Sequence, residues 1–230
     1  LTADLINVSR QQAWLLAVAD GQGGHVSGEV AGATAISTIL NFANNLSSWM
    51  MRPTEGLRED FQERVDLYAS AIQKDLQEKA RINPQLAGMA TTVTAAYLFG
   101  TNAVLVNHGD SRSYQIRSGP LHQLPRDHTL GRDLQETGLS AEAVRPYRNI
   151  LTRCFNTGGE DVDMDVFHLD LQQGDHILLC SDGLTDMVSD EQILTLISRD
   201  ATVKLTTERL AHAAMEAGGR DNITIVLGRF

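Results

Sequence analysis

The chain has 230 residues, 42% hydrophobic and 21% charged, which suits one substantial buried core and ordinary globular behaviour. A formal charge of −10 argues against a nucleic-acid surface, which needs a basic stripe, and is read as solubility rather than as a site. The two cysteines, Cys154 and Cys180, imply no disulfide framework and fit a reducing, cytoplasmic compartment. No signal peptide is expected from this sequence, and its apolar runs fall far short of the ~20 residues that span a bilayer.

In chain order, the apolar run Trp14 to Ala19 stops at Asp20-Gly21 and reads as a buried strand. Gly28 to Met50 repeats Val30, Ala33, Ile36, Leu40, Ala43 and Leu46 at helical spacing. After Pro53 a second helix carries Leu57, Phe61, Val65, Tyr68, Ile72 and Leu76, with Thr54 as its expected N-cap. Thr92 to Phe99 and Ala103 to Val106 flank Gly100-Thr101-Asn102 as a tight hairpin, and Ser113 to Arg117 and Leu121 to Leu124 flank Ser118-Gly119-Pro120 as another.

Residues 126–149 are polar and weakly patterned, with one short helical piece expected at Ser140 to Val144. A stretch of that length reads as a functional loop. Strands resume at Val162 to Leu171 and Ile177 to Ser181. Ser189 and Gln192 form a capping box for a helix ending near Arg199. A last helix from Val203 to Ala217 stops at Gly218-Gly219, and Asn222 to Leu227 closes the chain as a strand. Helices and strands are segregated, so the expected class is α+β: two packed antiparallel sheets flanked by helix pairs, a four-layer α-β-β-α sandwich.

Two separate apolar strands end in Asp-Gly, at Asp20-Gly21 and at Asp182-Gly183. A carboxylate at a strand end is held by a rigid element, and the glycine is expected to let a ligand approach the backbone. Hard divalent cations prefer such oxygen donors. Asp221, before the last strand, and Asp110, in Gly109-Asp110-Ser111-Arg112, are further candidates. The sequence alone does not bring these four together, and a single Asp-Gly is a common turn dipeptide.

Seven blocks in order cover nearly the whole chain. They are Val18 to His25 with Gly28-Glu29, Gly88-Met89-Ala90-Thr91-Thr92, Gly109 to Tyr114, Arg126-Asp127-His128-Thr129, Asn149 to Arg153, Leu179 to Asp186, and Gly219 to Thr224. This series resembles the bacterial PPM (type 2C) metal-dependent serine/threonine phosphatases. The resemblance implies a single phosphatase domain over residues 1–230, with a flap at about 126–149. It implies that Asp20 bridges two metals, that the Gly21 carbonyl binds one of them, and that Asp182 and Asp221 complete the other. Asp110 with Asp182 resembles the pair that holds a third, weaker ion.

The implied cofactor is Mn²⁺ or Mg²⁺, two per site with a third site at Asp110. The implied activity is hydrolysis of phosphoserine and phosphothreonine in proteins, by in-line attack of a metal-bridging hydroxide. The implied partners are phosphorylated proteins and an opposing Ser/Thr kinase, for a monomer that engages neither nucleic acid nor membrane. A cysteine phosphatase loop would want Arg six residues after its Cys; Glu160 and Asp186 stand there instead.

The sequence departs from the family pattern in two places. The family's opening block, with an Arg for substrate phosphate and an acidic pair, is not found in Leu1 to Gln12, which hold Asp4 and Arg10. That block is expected upstream of Leu1; were it absent, the fold would instead serve as a catalytically inactive regulator that binds phosphoproteins. Gln22 stands where some members carry a histidine acid, so a metal-bound water is expected to protonate the leaving alkoxide. His25, His108 and His128 read as local hydrogen-bonding residues.

Overall fold

A computed structural model describes residues 5–8, 11–49, 57–117, 119–159, 162–197 and 201–230. The chain opens with strands β1 (Leu5–Val8), β2 (Gln11–Val18) and β3 (Gly21–Gln22), then two long helices, α1 (His25–Trp49) and α2 (Leu57–Ile82). Strands β4 (Ala90–Thr91), β5 (Val93–Phe99), β6 (Asn102–His108), β7 (Arg112–Ile116) and β8 (Leu121–Gln123) follow. Next come α3 (Leu130–Glu136), α4 (Ala141–Val144), β9 (Phe155–Asn156), β10 (Asp165–Asp170) and β11 (His176–Cys180). The chain ends with α5 (Asp182–Thr185), α6 (Asp190–Leu196), α7 (Val203–Glu216) and β12 (Ile225–Arg229).

One antiparallel sheet runs β1-β2-β5-β6-β10 and the other β12-β11-β7-β8. The pair α1/α2 covers the first sheet and α6/α7 the second, giving the expected four layers. The central strands are apolar at consecutive positions because both faces are buried. Leu15 and Ala17 of β2 face the helix pair. Leu16 and Val18 meet Ile177, Leu179 and Val226 between the sheets. A third, small sheet, β3-β4-β9, is not signalled by the sequence because its strands are two residues long. Nor does the pattern signal β1, which pairs with β2.

The buried face of α1 differs from the expected one. Ala31, Ala35, Ile39, Phe42 and Ala43 are buried, whereas Ala33 is exposed and Val30, Ile36 and Leu40 only half-buried. Alanines lie all around this helix, so periodicity defines its face poorly. Contact with α2 decides it, where Phe42 stacks edge-on against Phe61 at 5.7 Å and lies 4.8 Å from Tyr68. On α2 the expected face is the buried one at Phe61, Val65, Ile72 and Leu76.

The Ser189/Gln192 capping box forms as expected, with α6 ending at Leu196. The expected N-cap Thr54 and the expected helix end at Arg199 lie outside the described residues. Gly218 and Gly219, at φ +130° and +50°, stop α7. The 126–149 segment holds the expected short helical piece as α4 and a further helix, α3, capped by the Thr129 hydroxyl.

Strands β10 and β11 lie in different sheets, so the turn between them crosses the sandwich. Asp175 holds this crossing. Its buried carboxylate accepts from Gln115, Arg117 and the Gln172 N–H. The turn from β6 to β7 crosses likewise and carries Asp110. Among the described residues no helix is long and apolar enough to cross a membrane.

Candidate metal centre

The strand ends of both sheets meet at one edge of the sandwich. Asp20 follows β2 of the first sheet, Asp182 follows β11 of the second, Asp221 precedes β12, and Asp110 sits in the turn that joins the two sheets.

Asp20 is fixed through its backbone. Its N–H donates to Thr92 Oγ1 at 3.2 Å, and its carbonyl accepts from the Thr92 N–H at 2.9 Å and Thr91 Oγ1 at 3.0 Å. Thr92 Oγ1 lies 2.8 Å from Ser111 Oγ, tying this grip to the turn that carries Asp110. The Thr91-Thr92 pair was legible only as part of a resemblance; its work is to lock the Asp20 peptide.

Ser181 does the same for Asp182. Its hydroxyl donates to the Asn222 carbonyl at 3.0 Å and accepts from the Thr224 N–H at 3.1 Å, while its own N–H donates to the Thr224 carbonyl at 3.1 Å. This staple draws Asp221 to the end of β11. A serine beside an apolar strand is too common a pattern to have signalled the role.

The glycines after Asp20 and Asp182 also make room for the chain itself. A Cβ on Gly21 would collide with the backbone of Gly28, and one on Gly183 with the Asn222 carbonyl. The close approach they permit is chain against chain, which packs each carboxylate-bearing turn onto its neighbour.

Electrostatically the four carboxylates form one group. Burial, then the charges of Asp182 and Asp221, push the Asp20 carboxyl up to about 7. Burial and Asp221 likewise raise Asp182. Asp110 is pushed up to about 7 by burial and then by Asp182, Asp127 and Asp20. Like charges in a poorly solvated place each resist ionisation, and a divalent cation relieves that cost.

Among the described residues, no three His, Cys, Asp or Glu side chains are closed tightly enough to hold an ion as they stand. An ion held partly by water and backbone carbonyls does not require three side chains. Asp182 Oδ1 is buried with no hydrogen-bond partner, as a carboxylate oxygen reserved for a cation would be. The donor set is all oxygen, which fits hard divalent ions.

Beside Asp110 and Asp182 lies a cavity of about 240 Å³, lined also by Arg112, Arg132, Arg148 and Asn149. Arg112 is clamped bidentately on Asp127 at 2.6–3.0 Å, and Arg148 and Asn149 donate to Asp186. These polar walls come from the start of β7, from α3 and the residues before it, from the residues around Tyr147 and from α5. The sequence reading singled out neither Arg132 nor Arg148. His108 bonds the Asp163 carbonyl through Nδ1, and His128 bonds Gly109 and Asp165. The side chain of His25 lies outside the described part.

The family model for protein phosphatase 2C matches residues 3–220. The serine/threonine phosphatase stp of Listeria monocytogenes is 34% identical over 93% of this chain and 83% of its own length. The serine/threonine protein phosphatase PstP of Mycobacterium tuberculosis is 34% identical over 93% of this chain, which spans 40% of that protein. A crystal structure of the PstP catalytic domain in complex with two manganese ions superposes with a TM-score of 0.76, at 32% identity, over 97% of this chain and 89% of that one. Site geometry, layer order and these similarities agree: the chain belongs to the protein phosphatase 2C family and is a protein serine/threonine phosphatase.

Proposed function

We propose that the chain removes phosphate from phosphoserine and phosphothreonine in proteins with two divalent cations, Mn²⁺ or Mg²⁺, held by Asp20, the Gly21 carbonyl, Asp182 and Asp221. Asp110, with Asp182, holds a third, weaker ion. The observation that carries this reading is the cluster itself. Carboxylates from both sheets raise one another's affinity for protons, beside a buried and unpartnered Asp182 oxygen. The two manganese ions bound by the PstP catalytic domain support the same count.

Bound there, the cations supply an acidified water for in-line attack and offset the charge on the phosphoryl oxygens. The chain's own part is placement. Thr91 and Thr92 hold the Asp20 peptide, and Ser181, next to Asp182, ties down the Asn222 turn beside Asp221, so little reorganisation accompanies reaction. Neither thiol is poised as a nucleophile: burial raises both, Cys180 to about 12. Gln22 has no titratable proton, so protonation of the leaving alkoxide falls to water.

Residues 126–149 form a flap whose inner wall is the polar cavity, and residues 1–230 act as one phosphatase domain. The enzyme opposes a Ser/Thr kinase and works as a cytoplasmic monomer. The test is phosphate release from a phosphothreonine peptide with Mn²⁺, with and without EDTA. Turnover should require the metal and be abolished by Asp182→Asn without loss of fold. Full activity in that variant would refute the assignment.

A further inference from the structure

His128 stands at the base of the 126–149 segment and is 1% exposed. Its backbone N–H donates to the Gly109 carbonyl at 3.1 Å, and the Gly109 N–H donates back to His128 Nδ1, also at 3.1 Å. One residue thus grips both polar groups of Gly109, the residue before Asp110. An N–H aimed at Nδ1 leaves that nitrogen unprotonated, so the ring proton sits on Nε2. Nε2 faces Asp165 Oδ2 at 3.1 Å, and Asp165 Oδ1 lies 3.5 Å from Arg153 Nη1. The ring is therefore fixed from behind.

Gly109 has no freedom on its other side. Its φ is +126°, and a Cβ there would meet the Thr92 side chain at 2.5 Å. Thr92 is the residue that holds the Asp20 peptide. The Gly109 turn is thus pressed between the grip on Asp20 and the imidazole of His128. His128 also closes the segment it begins. Its carbonyl accepts from the Thr152 N–H at 2.9 Å, the Leu130 N–H donates to the Ile150 carbonyl at 2.8 Å, and Thr129 bridges to Leu151.

We propose that His128 is a positioning residue: from the base of the flap it fixes the Gly109 peptide and thereby aims the Asp110 carboxylate at a divalent cation. The inference rests on the reading of Asp110 as a metal ligand. A purely space-filling role beside His108 would be met by any side chain of similar volume. The grip requires an acceptor where Nδ1 stands. Asparagine places its Oδ1 there, whereas glutamine reaches toward the Nε2 position and leaves the Gly109 N–H unpaired.

The experiment uses the full chain and calorimetric Mn²⁺ titration of the wild type, Asp110→Asn, His128→Asn and His128→Gln. Amide exchange at Gly109 is followed by NMR. Asp110→Asn should lose the weakest Mn²⁺ binding event. His128→Gln should weaken that same event by about 10–100-fold, as loss of an outer-sphere support does. His128→Asn should stay near wild type. The Gly109 amide should exchange slowly in the wild type and in His128→Asn, and fast in His128→Gln.

Equal weakening in both histidine variants would overturn the proposal, as would an unprotected Gly109 amide in the wild type. If Asp110→Asn loses Mn²⁺ while His128→Gln binds normally, the positioning role falls and the ligand reading stands. If Asp110→Asn itself binds like the wild type, the ligand reading falls and takes the proposal with it. Should His128→Gln fail to fold, the amide in the wild type and in His128→Asn still decides.

Discussion

Replacing Asp110 by asparagine keeps the shape of a 6% exposed side chain and removes its charge. Burial and three neighbouring carboxylates push this carboxyl from 3.8 up to about 7. At about 1.4 kcal/mol per unit, the metal-free protein bears a penalty of up to about 4 kcal/mol for carrying the charge above neutrality. The sign follows from linkage. Below pH ~4 the group is protonated in folded and unfolded chains alike and costs nothing. Between there and ~7 the unfolded chain releases a proton that the folded one retains, so stability falls; above that range the penalty is complete.

Removing one charge also eases the ionisation of Asp20 and Asp182, so part of the gain is already shared among them. A net stabilisation of about 2 kcal/mol at pH 8 is expected, or about 4–8 °C in Tm for a chain of this size. Thermal unfolding in EDTA at pH 5 and pH 8 measures it, and the advantage should shrink to less than half at pH 5. Saturating Mn²⁺ should reverse the order, because the cation stabilises the form that offers more carboxylates. An Asn variant that is no more stable than wild type at pH 8 in EDTA would refute the claim that these carboxylates repel one another.

Gly183→Ala places a methyl group on the Asn222 carbonyl and should cost about 1–3 kcal/mol, measured by denaturant unfolding. Phosphatase activity should fall further than stability, since the Ser181 staple moves with Asn222; an unchanged midpoint would show that the turn can relax. Under native conditions at pH 8, iodoacetamide should leave the buried Cys180 unmodified, and both thiols should react after denaturation. Cys154→Ser should keep releasing phosphate, and loss of turnover in that variant would reopen a thiol mechanism.

Much of the architecture was legible because burial on two faces leaves a mark in one dimension. The runs Leu15 to Val18 and Ile177 to Cys180 are apolar without alternation, as strands inside a sandwich must be. The α2 stripe and the Ser189 capping box were legible for the same local reason. The α1 face was not, because alanine on every side leaves no polar stripe to read, and contact with α2 and the first sheet selects the face. The two-residue strands of the small sheet are too short to carry a period.

The candidate site divides in the same way. The sequence by itself determined that Asp20 and Asp182 each end an apolar strand, and that a glycine follows each. Only the tertiary structure decided that these two carboxylates, with Asp110 and Asp221, share one edge. That outcome depends on the turns at Gly109–Ser111 and Leu171–Asp175 crossing from one sheet to the other, and sheet membership has no signature in hydrophobic period. It also decided why the glycines are there. Gly21 and Gly183 make room for Gly28 and Asn222, neighbours that lie 7 and 39 positions further along the chain, and folding brings each to within a Cβ of its partner.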